Sequence, residues 1–444
     1  MRWRTALAFV GIAGVCGLLG VMVFSYLADG AAGEGNLAAA APSPALIARG
    51  EYLARLGDCA ACHSVPGRPP FAGGLRMAIP IGAIYTTNIT PDPVNGIGQF
   101  SLADFDRALR FGVADGHSLY PAMPFPSYAS TRPDDVAALY AYFKYGVAAA
   151  ATPNVPNDVV FPLSMRWPLT FWRLLFAPKP TPFEARAEND PMIARGAYFV
   201  EGLGHCGECH TPRNLALQVK AQTPSQGSAF LSGAVIENYF APSLRSGGPD
   251  TLGGWNENDI VDFLTTGANP HGIVFGSMTD VIVHSTQHLT REDALATARY
   301  LKTLGAPAGQ PARSFVYDET EHRALRRGDA SKPGAVLYLD NCAACHRPSG
   351  TGYDRVFPGL AGNPVVEAAN PVSLISIVLA GSRTPRTTQT PAQFAMPAFA
   401  WRLSDQDVAD LVNFIRSSWG NSASVASAGD VARVRRALAP IAQR

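Results

Sequence analysis

Three times along the chain, two cysteines stand three apart with a histidine directly behind them: "CAACH" at Cys59–His63, "CGECH" at Cys206–His210 and "CAACH" at Cys342–His346. No other feature restricts the chain as much. Each copy asks for two thiols on one helical turn and an imidazole at its end. A lone C-x-x-C serves as half of a zinc site or as a redox disulfide. Three half-sites cannot pair evenly around zinc, and a redox disulfide gives no reason for a histidine next door in every copy.

Covalent haem explains both cysteines and the histidine of every copy. The two thiols each bond one vinyl group of the same porphyrin, and the adjacent histidine is held beneath the iron. Cys59, Cys62, Cys206, Cys209, Cys342 and Cys345 are therefore the candidate attachment points of three haem c groups. His63, His210 and His346 are the candidate proximal ligands. The seventh cysteine, Cys16, lies in an apolar stretch, so none is left for a disulfide framework between distant segments.

The surroundings of the motif repeat as well. "IARGEYLARLGDCAACH" is echoed by "IARGAYFVEGLGHCGECH" and, more loosely, by "GAVLYLDNCAACH". Each copy predicts an amphipathic helix leading into the cysteines. A second helical pattern comes next and stops at Gly112, Gly267 or Gly381, where glycine supplies a left-handed cap. A third helix closes each copy, with Asp135, Asp293 or Asp407 in its first turn to suit the helix dipole and Tyr142, Tyr300 or Phe414 seven residues later.

Between the second and third helices stand Met123, Met278 and Met396, at 11, 11 and 15 residues beyond the glycine. A methionine near a helix is ordinarily core filler. Its recurrence at one place in every copy points instead to a thioether ligand on the far face of each iron. Met123 and Met396 precede a proline, whereas Met278 does not and has His271, His284 and His288 nearby as alternative ligands. An iron held on both faces has no open position for substrate, so such a chain carries electrons. Arg213, Arg245, Arg355 and Arg402 lie near the motifs, where haem propionates need counter-charges.

The chain has 444 residues, 16% of them charged, with net charge +1. That charged fraction is low against about 25% in an ordinary globular protein. It suits burial against partner subunits or a membrane, and there is no basic field to attract nucleic acid. After "MRWR" the chain runs without a charge from Ala6 to Leu27, which is long enough for a transmembrane anchor and also compatible with a cleaved signal, given "NLAAAAPSPA" downstream. Either one exports the haem-binding repeats. "PLSMRWPLTFWRLLFAP" reads as a linker packed across the first two copies or as a segment lying on lipid. "DVARVRRALAP" reads as a solvated tail or a short basic helix on a partner.

Through "FAGGLRMAIPIGAIYTTNITPDP", "YPAMPFPSY", "PLSMRWPLTFWRLLF", "GHCGECHTPRN", "STQHL", "VFPGLAGNPVV" and "RLSDQDVADLVNFIRSSWGN", residues 45–425 resemble the tri-haem cytochrome c subunits of membrane-bound periplasmic dehydrogenases of acetic-acid bacteria. The resemblance implies a separate catalytic subunit that oxidises an alcohol, aldehyde, gluconate or other sugar, with a small third subunit beside it. It also implies that this chain is not itself catalytic on substrate and delivers electrons to ubiquinone on the periplasmic side of the cytoplasmic membrane.

The expected fold is all-α, three tandem class I cytochrome c domains behind an N-terminal transmembrane or signal helix. The segments are the anchor or signal at 1–30, domains at 44–150, 186–306 and 331–422, linkers at 151–185 and 307–330, and a tail at 423–444. Two other functions compete: a self-sufficient multi-haem enzyme such as a peroxidase, which needs one iron open, and the cytochrome subunit of a terminal oxidase.

Overall fold

The computed structural model describes residues 2–33, 37, 41–79, 81–185, 190–248, 251–306 and 314–438, with side chains from residue 16 onward. Part of the small-residue stretch 36–45, the first residues of the expected second domain, the linker segment 307–313 and the tail end 439–444 lie outside the described residues. The chain forms two compact units. One is Met1–Glu184 with Gly202–His205 and Leu215–Gln218; the other is Ala185–Glu201, Cys206–Asn214 and Val219–Arg444. The first motif belongs to the first unit, and the second and third motifs share the other.

Each repeat is framed by a lead helix packed on a closing helix: Pro44–Leu56 on Pro133–Ala141, Pro191–Tyr198 on Arg291–Thr303, and Ala335–Asn341 on Asp405–Arg416. Glycine decides how closely these helices approach. A Cβ on Gly50 would lie 1.9 Å from the Ala138 carbonyl oxygen, on Gly196 2.0 Å from that of Ala296, and on Gly334 2.2 Å from that of Asp410. No other residue fits there. In the first two copies the arginine preceding the glycine ties the same crossing, Arg49 to Asp135 and Arg195 to Asp293. The third copy has Pro333 in that place, and Lys332 pairs instead with Glu321. The first-turn aspartates of the first two closing helices therefore bind across helices. In the third, Asp407 completes a capping box with Ser404.

The middle helices Leu102–Phe111 and Glu257–Thr266 start at capping boxes, Ser101 with Asp104 and Asn256 with Asp259. They end at Gly112 and Gly267 in the left-handed conformation. Val372–Ala380 ends at Gly381, which has φ +72° but an extended ψ, so its cap has a different shape.

The all-α expectation is corrected: the fold is mixed. Among the described residues there are one three-stranded and four two-stranded sheets, all antiparallel. Their strands are two to four residues long, too short for alternation to show in a sequence window. The turns carry the signal instead. Val113–Ala114 pairs with His117–Ser118 around Asp115 (φ 51°) and Gly116 (φ 73°), and Ala234–Ile236 pairs with Tyr239–Ala241 around Glu237 (φ 49°) and Asn238 (φ 65°). Two successive positive φ values give the turn whose twist matches that of paired strands.

The expected transmembrane anchor is corrected too: among the described residues, no helix is long and apolar enough to cross a membrane. The N-terminal helix Arg2–Gly30 has its last turns fastened to protein. Asp29 is buried and accepts hydrogen bonds from Ser118 N (3.0 Å), Ser118 Oγ (2.8 Å), Thr170 Oγ1 (2.9 Å) and Arg173 Nη2 (3.1 Å). Phe24 stacks on Phe171. Thr170, Phe171 and Arg173 belong to the helix Trp167–Phe176, inside the segment expected as a linker. That helix packs within the first unit, where Trp172 meets Phe125 and donates to the Ala216 carbonyl (2.7 Å).

The solvated-tail reading also fails. Ala428–Leu438 is a helix that buries Val431, Val434 and Leu438 in the third repeat's core, while Arg435 pairs with Asp405. That core is centred on Tyr338, Phe414 and Trp419, with Tyr338 and Trp419 ring centroids 5.1 Å apart.

The glycine crossings yield a direct test. Gly196→Ala is expected to destabilise the protein by about 3 kcal/mol, because the new methyl meets backbone that cannot move aside. Gly305→Ala, where a Cβ meets nothing within 4 Å, should stay within about 0.5 kcal/mol of the parent. Thermal unfolding of the two variants checks the contrast.

Candidate haem-attachment sites

The five-residue motifs coil as expected. Cys59–His63 is one helical turn, and Cys206 and Cys342 stand immediately before the turns Gly207–His210 and Ala343–His346. Both thiols of a motif thus fall on one face. None of the six is in a disulfide; Cys342 is buried, Cys345 exposed and the other four half-buried. Burial pushes the Cys59, Cys206 and Cys342 thiols up to about 12, helped at Cys59 by the Asp58 carboxylate. Among the described residues, no three His, Cys, Asp or Glu side chains gather as a bare ion requires. The donor set does not suit zinc.

The histidines share one environment. His63 Nδ1 lies 2.6 Å from the Thr87 carbonyl oxygen, His210 Nδ1 2.7 Å from that of Pro242, and His346 Nδ1 2.8 Å from that of Pro358. Burial lowers the pKa of all three, against the opposing pull of these carbonyls, and keeps the rings neutral. A carbonyl can only accept, so in each ring Nδ1 carries the proton and Nε2 presents its lone pair. That tautomer is the one a metal ligand needs. Two thiols on one face with a neutral Nε2 donor behind them fit a covalently attached porphyrin iron.

Each histidine is also held from behind. Its own carbonyl accepts from a glycine N–H: His63 from Gly73 (2.8 Å), His210 from Gly233 (2.8 Å), His346 from Gly352 (3.1 Å). All three glycines have positive φ, 65°, 93° and 61°. They press on the segment that supplies the accepting carbonyl. A Cβ on Gly73 would lie 2.4 Å from the Thr87 carbonyl carbon, on Gly233 3.1 Å from the Ala241 oxygen, and on Gly352 2.6 Å from the Pro358 carbonyl carbon. Sequence reasoning missed these glycines. They lie in "FAGG" and "FLSG" in the first two copies, but 10 and 23 residues beyond the motif histidine, so no fixed spacing marks them.

Met123, Met278 and Met396 are all half-buried. Met396 pairs with Ser382 across a two-stranded sheet, beside the glycine ending the middle helix. Met123 lies in a tight loop, with Phe125 N–H donating to its carbonyl (2.8 Å), and Met278 opens the helix Met278–His284. Of the three histidines near Met278, His271 is otherwise engaged: it stacks on Trp255 and contacts Asp259 (3.2 Å). Three of the arginines expected at propionates are already engaged with protein groups. Arg213 pairs with Glu208, Arg355 with Asp262, and buried Arg245 donates to the Gly305 and Phe230 carbonyls, while Arg402 is exposed.

Residues 331–419 match the cytochrome c family. Over 425 residues the chain is 51% identical to the gluconate 2-dehydrogenase cytochrome c subunit of Pantoea cypripedii, covering 94% of each. It is 50% identical over 401 residues to the cytochrome c subunit of the quinone alcohol dehydrogenase of Gluconobacter oxydans (strain 621H), covering 89% of this chain and 84% of the relative. The fructose dehydrogenase cytochrome subunit of Gluconobacter japonicus is 36% identical over 409 residues, covering 88% and 82%. The chain belongs to the cytochrome c subunits of dehydrogenases. Like them it is an electron-transfer subunit.

Acid should act through these histidines. The folded cytochrome subunit keeps them neutral below the pH at which an unfolded histidine takes up a proton, near 6.5. The unfolded chain then binds more protons, so stability falls as pH is lowered from about 7 to about 5. Denaturant melts across that range should show a declining midpoint.

Proposed function

We propose that this subunit carries three covalently attached haem c groups and relays electrons from a catalytic dehydrogenase subunit to ubiquinone, on the periplasmic side of the cytoplasmic membrane. The observation that carries the reading is the threefold bond from a CxxCH histidine Nδ1 to a backbone carbonyl. The six motif cysteines would attach the groups. His63, His210 and His346 would present Nε2 to the irons, and Met123, Met278 and Met396 would close the opposite faces, with His284 and His288 the alternatives at the second. Haem so ligated supplies reversible one-electron exchange and no vacancy for substrate.

Substrate chemistry then belongs to the partner. The relatives' names point to gluconate, an alcohol or another sugar, and an aldehyde fits the same arrangement; a small third subunit would complete the complex. The quinone in one relative's name fits an acceptor dissolved in lipid. Exposed Leu174, Leu175 and Phe176 on one helix, and Leu18, Leu19, Met22 and Val23 on the N-terminal helix packed beside it, suit the interfacial zone of a bilayer without spanning it.

Intact mass of the purified subunit is expected to equal the polypeptide plus three haems, and Cys206→Ser/Cys209→Ser to remove one of them. The reduced protein should bind no carbon monoxide. Fewer than three haems on the parent chain, or carbon monoxide binding without denaturant, would overturn the relay.

A further inference from the structure

The carbonyl that orients each histidine needs support of its own, and at Pro242 the local bonds from Ser243 Oγ (3.1 Å) and Leu244 N–H (3.0 Å) to the Leu231 carbonyl are joined by support from another repeat. At Thr87 the support is local to the first unit: Gly74 N–H donates to the Thr86 carbonyl (2.9 Å), and Asn88 N–H to Asn154 Oδ1 (2.7 Å). At Pro358 it is local to the third repeat, where Tyr353 and Phe357 exchange two backbone hydrogen bonds (2.8 and 2.9 Å). Pro242 comes directly after the hairpin Ala234–Ile236/Tyr239–Ala241, and that hairpin lies on the middle helix Val372–Ala380 of the next repeat, within one compact unit.

Two serines of that helix make the attachment. Ser373 Oγ accepts from Phe240 N–H (2.7 Å) and donates to the Phe240 carbonyl (3.1 Å), while Ser376 Oγ donates to the Asn238 carbonyl (2.7 Å). Both serines are buried, at 1% and 0% exposure. Serine is an unusual occupant of the inner face of an apolar helix, since an unpaired buried hydroxyl is destabilising. Here both hydroxyls are satisfied by another repeat's backbone. From Phe240 the covalent path is short: Ala241, then the Pro242 carbonyl that accepts from His210 Nδ1.

We propose that Ser373 and Ser376 are positioning residues for His210, so that the third repeat sets the donor strength of the second repeat's iron ligand. The inference rests on reading His210 as that ligand. A firm Nδ1–H···O=C bond makes the imidazole the better donor and favours the oxidised iron. Loosening Pro242 weakens the bond and favours the reduced iron, which raises the midpoint potential of the second haem.

The test is spectroelectrochemical titration of the full-length Ser373→Ala/Ser376→Ala subunit, with intact mass measured on the same sample. The second haem's transition is identified as the one missing from the Cys206→Ser/Cys209→Ser chain. The expected result is three haems, with the second transition moved upward and the other two in place. Ser373→Thr/Ser376→Thr, which restores the hydroxyls, should move it back. If the double variant does not fold, Ser376→Ala alone is titrated in the same way. Three haems with no shift, or a shift confined to another transition, would overturn the positioning role and leave the ligand reading standing. A parent chain with fewer than three haems would overturn the ligand reading itself.

Discussion

In every repeat two helices meet where no side chain comes between them. Helix axes ordinarily pack 8–10 Å apart, with side chains setting the distance. At Gly50, Gly196 and Gly334 even a methyl group would collide with the opposing backbone. The motif cysteine lies only eight to ten residues beyond this point in all three copies. A short arm pinned to the closing helix therefore leads to the motif, helical to Leu56 and Asn341 in the first and third copies and kinked at Gly202 in the second. Charge reinforces the pin in the first two copies through Arg49–Asp135 and Arg195–Asp293. Exposed arginine partners add little free energy by themselves, so close packing governs the crossing.

The second constraint is electronic. A histidine offers two nitrogens, and a chain that is to present one of them must occupy the other. Here a backbone carbonyl does so each time, pressed into place by a positive-φ glycine that also holds the histidine's own carbonyl. Backbone groups change neither charge nor rotamer, which makes them steady partners for the imidazole, as the proposed ligand role would require. Burial likewise favours the neutral thiol at Cys59, Cys206 and Cys342, the first cysteine of each motif.

The copies are alike in design and different in surroundings. The first is enclosed by a unit that includes the N-terminal helix and the helix Trp167–Phe176, locked through Asp29. The second and third share a unit, joined by Ser373, Ser376 and the Arg355–Asp262 pair. The third adds its own C-terminal helix and a Tyr338–Phe414–Trp419 cluster, in which Trp419 Nε1 donates to the Pro348 carbonyl just beyond His346. Under the three-haem relay proposed above, such differences would give the sites an order of transfer.

What was legible in the sequence was local. The CxxCH motifs, the helices around them and the glycines that end two middle helices in the left-handed conformation depend on residues within a few positions of one another, and periodicity and capping record those relations. The small sheets escaped because strands of two to four residues leave no alternation to read, although Asp115-Gly116 marked one turn. The apolar run Ala6–Leu27 suggested an anchor because hydropathy does not register a buried Asp29 that meets partners some 90 and 140 residues away. Which carbonyl meets each imidazole, and which repeat steadies it, was settled by tertiary structure alone. His210 and Pro242 are 32 residues apart, and Phe240 and Ser373 are 133 apart; no rule of spacing connects them until the chain has folded.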